Sequence, residues 1–283
     1  MKEGAWSEAW TRLAAGRVAR IAFLIMLALI LLALLGPAFS PHASATLDWQ
    51  SVATAPGGSS RHWLGTDRLG RDLFVRTLEG ARVSLAVAAV ASVVSISIGL
   101  GYGAVAGYVG GHTDRLMMRF IEILSGLPLI FFVIFVTVLF GRNEVLLFLS
   151  IGAVGWLTLA RIVRGQTLSV RRREFIEAAI VSGASGARII VRHVLPNVAS
   201  PAIVYATLAI PQIILLESFL SFLGLGIQEP QASLGTLIAE GAGELQSAPW
   251  MLLVPGTFLT LLLLSLNLVG DGLRDAFDVG ERG

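Results

Sequence analysis

The sequence predicts an all-α protein that crosses a membrane several times, and its composition and the length of its apolar runs are the two observations behind this prediction. Of its 283 residues, 55% are hydrophobic and 14% are charged. Soluble globular domains contain about 25% charged residues. Runs near 20 apolar residues, the length at which a helix spans a bilayer, recur along the chain. The composition therefore excludes an ordinary soluble domain.

Six runs of this length predict six transmembrane helices. The fourth run is the weakest, because Arg161 and Arg164 follow its uncharged core and must extend toward the lipid headgroups. Six spans place both ends of the chain on the same side of the membrane. The predicted spans cover residues 18–39, 83–108, 116–140, 145–163, 199–223 and 250–269.

The first run has a second interpretation as a cleaved signal peptide. Arg17 and Arg20 precede the apolar residues 21–35, and small residues follow them. Pro37 and Pro41 lie in the expected cleavage region, and removal of the run would leave five spans. We therefore favour a retained helix.

Basic residues are distributed unequally between the two sides of the membrane. With the N-terminus inside the cell, the inner segments contain 15 Lys and Arg residues and the outer segments contain 6. Cytoplasmic loops usually carry such an excess. The predicted organisation is a cytoplasmic N-terminus at 1–17, a first transmembrane helix at 18–39, an external loop at 40–82, a five-helix core at 83–270 and a cytoplasmic C-terminus at 271–283.

The loop between the first two spans has two parts. Residues 40–60 are rich in Ser, Ala, Gly and Pro, which predicts an extended loop. Farther on, Asp67 with Arg71 and Asp72 with Arg76 are acid-first pairs spaced by four residues. Because this spacing stabilises helices, we interpret the pairs as part of a solvated interfacial helix rather than a substrate contact.

Several kinds of site are disfavoured by the sequence. The chain has no Cys, and its four His residues are too scattered to suggest a metal site, so none is expected. No phosphate-binding loop occurs, so any ATP must be bound by another chain. Ser185 lies in a Gly-x-Ser-Gly string typical of intramembrane serine proteases, but it falls in an arginine-flanked loop rather than at membrane depth. A nucleic-acid partner is not expected.

Glycines recur every four residues from the second predicted span to just beyond its end. Gly99, Gly103, Gly107 and Gly111 would leave a flat stripe on one helix face. Small residues at this spacing let another helix approach closely. We therefore predict a helix-packing role for Gly99, Gly103 and Gly107.

Polar side chains within the spans are candidates for the pore or for subunit contacts, because such groups are costly to bury in lipid. The candidates are Glu217 and Ser221 in the fifth span and Asn267 in the sixth. For Glu217 we favour a contact with another helix or subunit over a position in the substrate pathway.

A polar segment separates the fourth and fifth spans. Its first part places Phe175, Ala178, Ala179 and Ser182 on one face of a short helix, with Glu177 at the edge. Small residues on that face suit close docking in the groove of a partner. Two glycines then permit a sharp turn, a second amphipathic helix follows, and a proline ends it. The prediction is a bent, rigid knob on the cytoplasmic side.

The spacing of this segment resembles the EAA loop of ABC importer permeases, the loop that docks onto an ATPase subunit. Glu177-Ala178-Ala179, Gly183 and Leu195-Pro196 carry the resemblance. The resemblance assigns ATPase coupling, within a loop at 165–198, to Phe175, Glu177, Ala178, Ala179, Ser182, Gly183, Ala184, His193, Leu195 and Pro196.

Other strings resemble the branch of this family that imports peptides, nickel or glutathione. They are LGTDRLGRD at 64–72, GARVSL at 80–85, SFLGLGIQEPQASLGTLI at 221–238 and NLVGDGLRDAFD at 267–278. The resemblance therefore covers nearly the whole chain. Di- and oligopeptides are the expected cargo, and nickel or glutathione are the alternatives.

The resemblance implies the six-helix fold of type I ABC importer permeases and a subunit that performs no bond chemistry. It also implies a second, homologous permease subunit that forms the other half of the pore, two cytoplasmic ATPases that bind ATP and Mg, and an external solute-binding protein. The chain itself would hold no cofactor and would lie in the bacterial inner membrane. A stand-alone secondary transporter is disfavoured, because the sequence shows neither paired intramembrane charges nor matching broken helices in two halves.

The predicted external loop 224–249 carries Glu229, Glu240 and Glu244 and no Lys or Arg. In such permeases the binding protein delivers cargo on this side, and a patch of one charge sign could steer its docking. Alternatively, these acids only follow the charge bias of outer loops. The apolar residues 234–239 also predict a short helix near the pore mouth that could act as a gate.

Overall fold

The computed structural model describes residues 16–58, 62–140 and 144–278. These residues form helices and connecting turns without a β-strand, and an isolated bridge joins Thr66 to Asp72. The predicted all-α, polytopic class is confirmed. In chain order the helices are α1 (Arg17–Phe39), α2 (Leu73–Val109), α3 (Gly111–Ser125), α4 (Leu129–Phe140), α5 (Glu144–Val170), α6 (Glu174–Val181), α7 (Gly186–Ile189), α8 (Leu195–Phe222), α9 (Leu234–Gly243) and α10 (Trp250–Asp278).

In the described part of the chain, five helical stretches are long and apolar enough to cross a membrane, and α3 with α4 adds a sixth if the pair forms one span. This pair is bent by 85°, whereas the sequence predicts one run over 116–140. Pro128 lies in the break between the two helices. Proline lacks a backbone N–H and disfavours a helical conformation in the residue before it, which explains a bend within an apolar run.

The prediction of a separate interfacial helix before the second span is wrong. Residues 62–72 form turns, and α2 begins at Leu73, ten residues before the predicted span. Asp72 stabilises this start, because its Oδ1 accepts a hydrogen bond of 2.9 Å from the Val75 N–H. The acid-first pairs therefore do not lie along one helix face.

The predicted terminal segments lie largely outside the described residues. Residues 1–15 and 279–283 are not described, so the expectations for 1–17 and for the end of 271–283 stay predictions. Helix α10 continues to Asp278, past the predicted end of the sixth span.

The chain divides into two compact units. Among the described residues, unit 1 comprises 89–140, 144–210 and 273–278, and unit 2 comprises 16–58, 62–88 and 211–272. The larger hydrophobic cluster of unit 1 contains side chains from α2, α5, α6, α7 and α8. The short helices between α5 and α8 are therefore packed elements rather than a free loop.

Within unit 1, the glycine stripe of α2 lies directly against α5. A Cβ atom placed on Gly103 would lie 2.5 Å from the carbonyl oxygen of Ala160, and one on Gly107 would lie 2.7 Å from Cβ of Thr167. A Cβ atom on Gly99 would lie 3.0 Å from side-chain atoms of Leu159, which is a tight contact. Real Cβ atoms do not approach other atoms as closely as they would at Gly103 and Gly107, so the backbones of α2 and α5 lie close together at these two positions.

Gly111 does not belong to this stripe, contrary to the predicted spacing. It begins α3, and a Cβ atom placed on it would meet nothing within 4 Å. Gly110 and Gly111 have φ angles of 70° and 60°. These left-handed conformations, which glycine adopts at low cost, end α2 and redirect the chain.

Within unit 2, α9 is a buried element, and the predicted short helix at 234–239 is part of it. Ser233 and Thr236 form a capping box at its start. A Cβ atom on Gly235 would collide with Ser218 of α8, and one on Gly241 would collide with Met251 of α10. Helix α9 is therefore packed tightly between its two neighbours.

Candidate functional site

Helix α6 carries the Glu-Ala-Ala string and is anchored through one side chain. Ile176 is fully buried in the larger cluster of unit 1, together with Val170 and Val198. Glu177 and Ala178 are exposed, and no ion pair of Glu177 occurs among the described residues. One face of α6 is therefore fixed to the protein, while the carboxylate of Glu177 is available to a cationic partner group.

Gly183 ends α6 in a Schellman motif. Its φ angle is 79°, its N–H donates to the carbonyl of Ile180 (2.9 Å), and the Ala184 N–H donates to the carbonyl of Ala179 (3.1 Å). Glycine adopts this left-handed conformation without the strain that a Cβ atom would cause. The motif fixes the direction in which the chain leaves α6.

The chain then enters α8 without a break. Ser185 caps α7 by accepting a hydrogen bond from the Arg188 N–H (3.4 Å), and a π-helical turn at Ile190–Val194 connects α7 to α8. The sequence predicts that Pro196 ends the preceding helix, but it is the second residue of α8. Because the helical stretch runs from Gly186 to Phe222, Pro196 lies inside it, and its missing N–H interrupts the regular bonding directly after the π-helical turn.

The outward face of α6 differs from the predicted one. Ala179 is half-buried against the cluster of unit 1, whereas Ala178 and Ser182 are exposed. Ile176 lies three residues before Ala179 and therefore on the same face, so burial of the larger isoleucine turns Ala179 inward. Val181, which the sequence analysis did not select, is 88% exposed and extends the apolar part of the outward face.

The remaining predicted residues of this segment lie in the same knob. Phe175 is 40% exposed, and its ring centroid lies 6.4 Å from that of His193. Ala184 and Leu195 are half-buried against the larger cluster. The structure thus brings the predicted residues together in one packed element, with α6 as its outermost helix; we call residues 174–197 the coupling knob.

An ion pair in unit 1 joins α3 to α5. Arg164 donates through two nitrogens to the two carboxylate oxygens of Asp114, at 2.5 and 2.6 Å, and Arg161 donates to Ser125. Such bidentate pairs are among the strongest charged hydrogen bonds. Both arginines therefore contact α3 instead of extending freely to the headgroups. Spacing along the chain could not reveal these partners, because the bonded residues lie on different helices.

Glu217 is fully buried in unit 2 among hydroxyl groups. Its carboxyl oxygens accept hydrogen bonds from Ser84 of α2 and Ser221 of α8, both at 2.7 Å, and Ser218 lies at 3.4 Å. Asn267 is exposed, and its amide donates to a backbone carbonyl one turn earlier in α10. The structure therefore brings Glu217 and Ser221 together and leaves Asn267 outside this cluster.

A network of charges in unit 2 surrounds Asp67. Arg71 Nε lies 2.6 Å and Arg76 NH1 2.5 Å from Oδ2 of Asp67. Arg76 also lies 2.8 Å from Glu240, and Arg71 lies 3.3 Å from Glu229. Positive charges therefore lie beside Glu229 and Glu240, and the predicted patch is not purely negative there. The arginines precede the glutamates by 158 and 164 positions, so the charges of the segment 224–249 alone do not indicate these pairs.

Asp67, Arg71 and Arg76 of this network are buried rather than solvated, contrary to the prediction, while Glu229 is exposed. Burial on its own raises the pKa of Asp67, but hydrogen bonds from Arg71 and the charge of Arg76 outweigh this effect and hold the pKa below its ordinary value. Burial likewise lowers the pKa of Arg71, and its bond to Asp67 more than compensates, so the pKa is raised. Both groups are therefore charged at neutral pH.

Two of the histidines that seemed scattered in sequence lie together in unit 2. The ring centroids of His42 and His62 are 4.5 Å apart. One nitrogen from each ring and a carboxylate oxygen of Asp72 lie within 4.8 Å of one another. The sequence predicts no metal site because the histidines are far apart in the chain. The fold nevertheless brings two of them close together.

Comparison with known proteins gives matches over most of the chain. Residues 99–282 match the family described as binding-protein-dependent transport system inner membrane component, and residues 4–56 match the N-terminal TM domain of oligopeptide transport permease C. The first match contains the whole coupling knob. Both the structural core and the first transmembrane region are thus covered.

Individual relatives are similar over nearly their full length. The oligopeptide transport system permease protein of Haemophilus influenzae is 49% identical over 98% of this chain and 89% of the relative. The corresponding Escherichia coli K12 protein is 47% identical over 98% and 92%. The dipeptide transport system permease protein of Bacillus subtilis is 43% identical over 96% and 84%.

Proposed function

The chain belongs to the family of binding-protein-dependent transport system inner membrane components, and from this membership we propose that it carries di- and oligopeptides as one permease subunit of an ATP-driven importer. Its similar relatives are named as oligopeptide or dipeptide permease proteins. The chain is a transport subunit and not an enzyme. ATP and Mg are bound by two partner ATPase subunits, and nickel or glutathione are the alternative cargoes.

The coupling knob is the observation that carries this proposal. It presents Glu177, Ala178 and Val181 outward, while Ile176 and Ile189 are buried in a cluster shared with α5 and α8. A partner that pulls on the outward face therefore moves the buried face with it. We propose that the two ATPases, on closing around ATP, move the knob and through it α5 and α8, which changes the side from which the pore is open.

A second, homologous permease subunit would form the other half of the pore. Glu217 finds its hydrogen-bond partners within this chain, on α2 and α8. Because these partners satisfy the carboxyl group without cargo, they support a helix-packing role over a place in the peptide pathway. The peptide would then be contacted mainly by other groups, and selectivity would lie in the binding protein.

The external solute-binding protein would dock near the segment 224–249. Glu229 and Glu240 are paired with arginines, whereas the half-buried Glu244 accepts a hydrogen bond from the neighbouring Ser247 and pairs with no arginine among the described residues. Long-range steering by negative charge would therefore depend mainly on Glu244. The tight packing of α9 supports a fixed docking platform rather than a swinging gate.

The chain would lie in the bacterial inner membrane with both termini in the cytoplasm. Large apolar side chains are exposed along α1, among them Ile21, Leu24 and Leu35. Such a surface suits contact with lipid. The excess of arginines in the inner segments supports this orientation, in which the coupling knob would lie on the cytoplasmic side together with the ATPases.

Peptide uptake tests the proposal. The complex is reconstituted in vesicles with ATP and the ATPases inside and the binding protein outside, and a radiolabelled tripeptide is supplied. We expect accumulation that requires both ATP and the binding protein, and that a hundredfold excess of unlabelled peptide suppresses but Ni²⁺ or glutathione does not. Accumulation of radioactive nickel without peptide uptake would contradict the peptide assignment and support the nickel alternative.

A further inference from the structure

The loop between α1 and α2 folds four titratable side chains around one point in unit 2. His42 and His62 stack, and Asp48 and Asp72 lie on either side of His62. These residues are not part of the coupling knob, and none of them contributes to the ion-pair network around Asp67. The cluster therefore needs an explanation of its own.

The two ring nitrogens of His62 have different surroundings. Nδ1 lies 2.8 Å from Oδ2 of Asp72, and since a carboxylate only accepts, this nitrogen carries the proton. In the neutral imidazole, Nε2 is then the nitrogen with a lone pair. It is buried, in a residue that is 2% exposed, and it has no hydrogen-bond partner among the described residues.

A buried lone pair without a donor is costly, and a cation would satisfy it. Oδ2 of Asp48 lies 3.6 Å from Nε2, beyond hydrogen-bonding distance. In a tetrahedral site with metal–ligand bonds of about 2.0–2.1 Å, ligand atoms lie about 3.3–3.4 Å apart. The two atoms are therefore spaced almost as two ligands of one small cation.

We propose that this cluster binds one divalent transition-metal cation of the Zn²⁺ type, with Nε2 of His62, Asp48 and His42 as protein ligands. Asp72 orients His62 through Nδ1, the carboxylate–histidine–metal arrangement that is common in metal sites. Asp72 is itself held by the Val75 N–H at the start of α2. Bound metal would thus tie the loop at residues 42–48 to the first turn of α2.

The donor set selects the class of cation. Two imidazoles and one carboxylate suit Zn²⁺, Co²⁺ or Ni²⁺, whereas Mg²⁺ and Ca²⁺ prefer oxygen donors throughout. The chain contains no Cys, so thiolates cannot compete for the ion. Three protein ligands leave a fourth position for water, and Asp48, one-third of whose side chain is exposed, gives a path from solvent.

Zinc binding by the purified full-length permease tests this proposal. The protein carries an affinity tag without histidine, is treated with a chelator, and is then dialysed against increasing Zn²⁺. We expect one zinc per chain at saturation and a higher Tm in its presence, because a ligand that binds only the folded state stabilises it. Mg²⁺ at the same concentrations should give neither effect.

Matched variants decide whether these residues are the ligands. His42→Gln and Asp48→Asn should each weaken zinc binding at least tenfold and remove the Tm increase. His112→Gln, at an exposed histidine of α3, should leave both unchanged. Asp48→Asn preserves side-chain size, so it remains informative if His42→Gln prevents folding. Failure to bind one equivalent of zinc, or binding that survives both ligand substitutions, would overturn the proposal and leave His62 as a purely structural residue.

Discussion

Replacing Ala178 with tryptophan should strongly reduce peptide-stimulated ATP hydrolysis by the assembled importer while leaving the permease folded. Ala178 is exposed on α6, so the indole can point away from the core of its own chain. In a docked interface the same ring would overpack the groove of the ATPase, at a cost of about 1–3 kcal/mol. That cost corresponds to a loss of roughly five- to 150-fold in affinity.

The measurement is ATP turnover by the reconstituted complex with binding protein and peptide present, together with the Tm of the isolated permease. Ala55→Trp, the same change at an exposed residue of the loop between α1 and α2, is the control and should retain turnover. Ala179 is unsuitable for this test, because it is half-buried against the cluster of unit 1 and a tryptophan there would damage the permease itself. Normal coupled turnover by the Ala178 variant would remove α6 from the interface.

Gly103→Ala should destabilise the permease strongly, although alanine is the better helix former. The added Cβ would lie 2.5 Å from the carbonyl oxygen of Ala160 and 2.7 Å from Cβ of Val163. Because one of these atoms belongs to the backbone of α5, the two helices must separate, and we expect a loss of about 1–3 kcal/mol.

Gly101→Ala is the matched control for this change. Gly101 lies on the same helix, and a Cβ atom there would meet nothing within 4 Å. That variant should be as stable as the parent or slightly more stable, since alanine favours a helix over glycine by up to about 1 kcal/mol. Thermal unfolding in detergent distinguishes the two, and equal Tm values for both variants would contradict the close packing of α2 on α5.

The features that the sequence predicts well are those that depend on neighbouring residues. The length of the apolar runs gives the spans, and the glycine at position 183 gives the sharp turn that ends α6. The periodicity of α6 gives a short helix but assigns Ala179 to the wrong face. Its orientation depends on which large side chain is buried, and Ile176 decides this.

The features that the sequence does not predict depend on residues far apart in the chain. Arg76 and Glu240 are separated by 164 positions. The sequence therefore places their charges in different segments and does not predict that they pair. The same holds for Arg164 with Asp114 and for the approach of His42 to His62. Pro128 is a local signal for the bend between α3 and α4. It lies within an apolar run, however, and the length of that run predicts a single span.

Cross-linking from the coupling knob tests the central claim most directly. The chain is naturally free of cysteine, so a single cysteine at position 178 can carry a photoreactive maleimide in the assembled complex, with position 244 as the control on the opposite side of the predicted topology. We predict that light links Ala178→Cys to an ATPase subunit and that Glu244→Cys gives no such product. Capture of an ATPase from position 244, with none from position 178, would contradict the account.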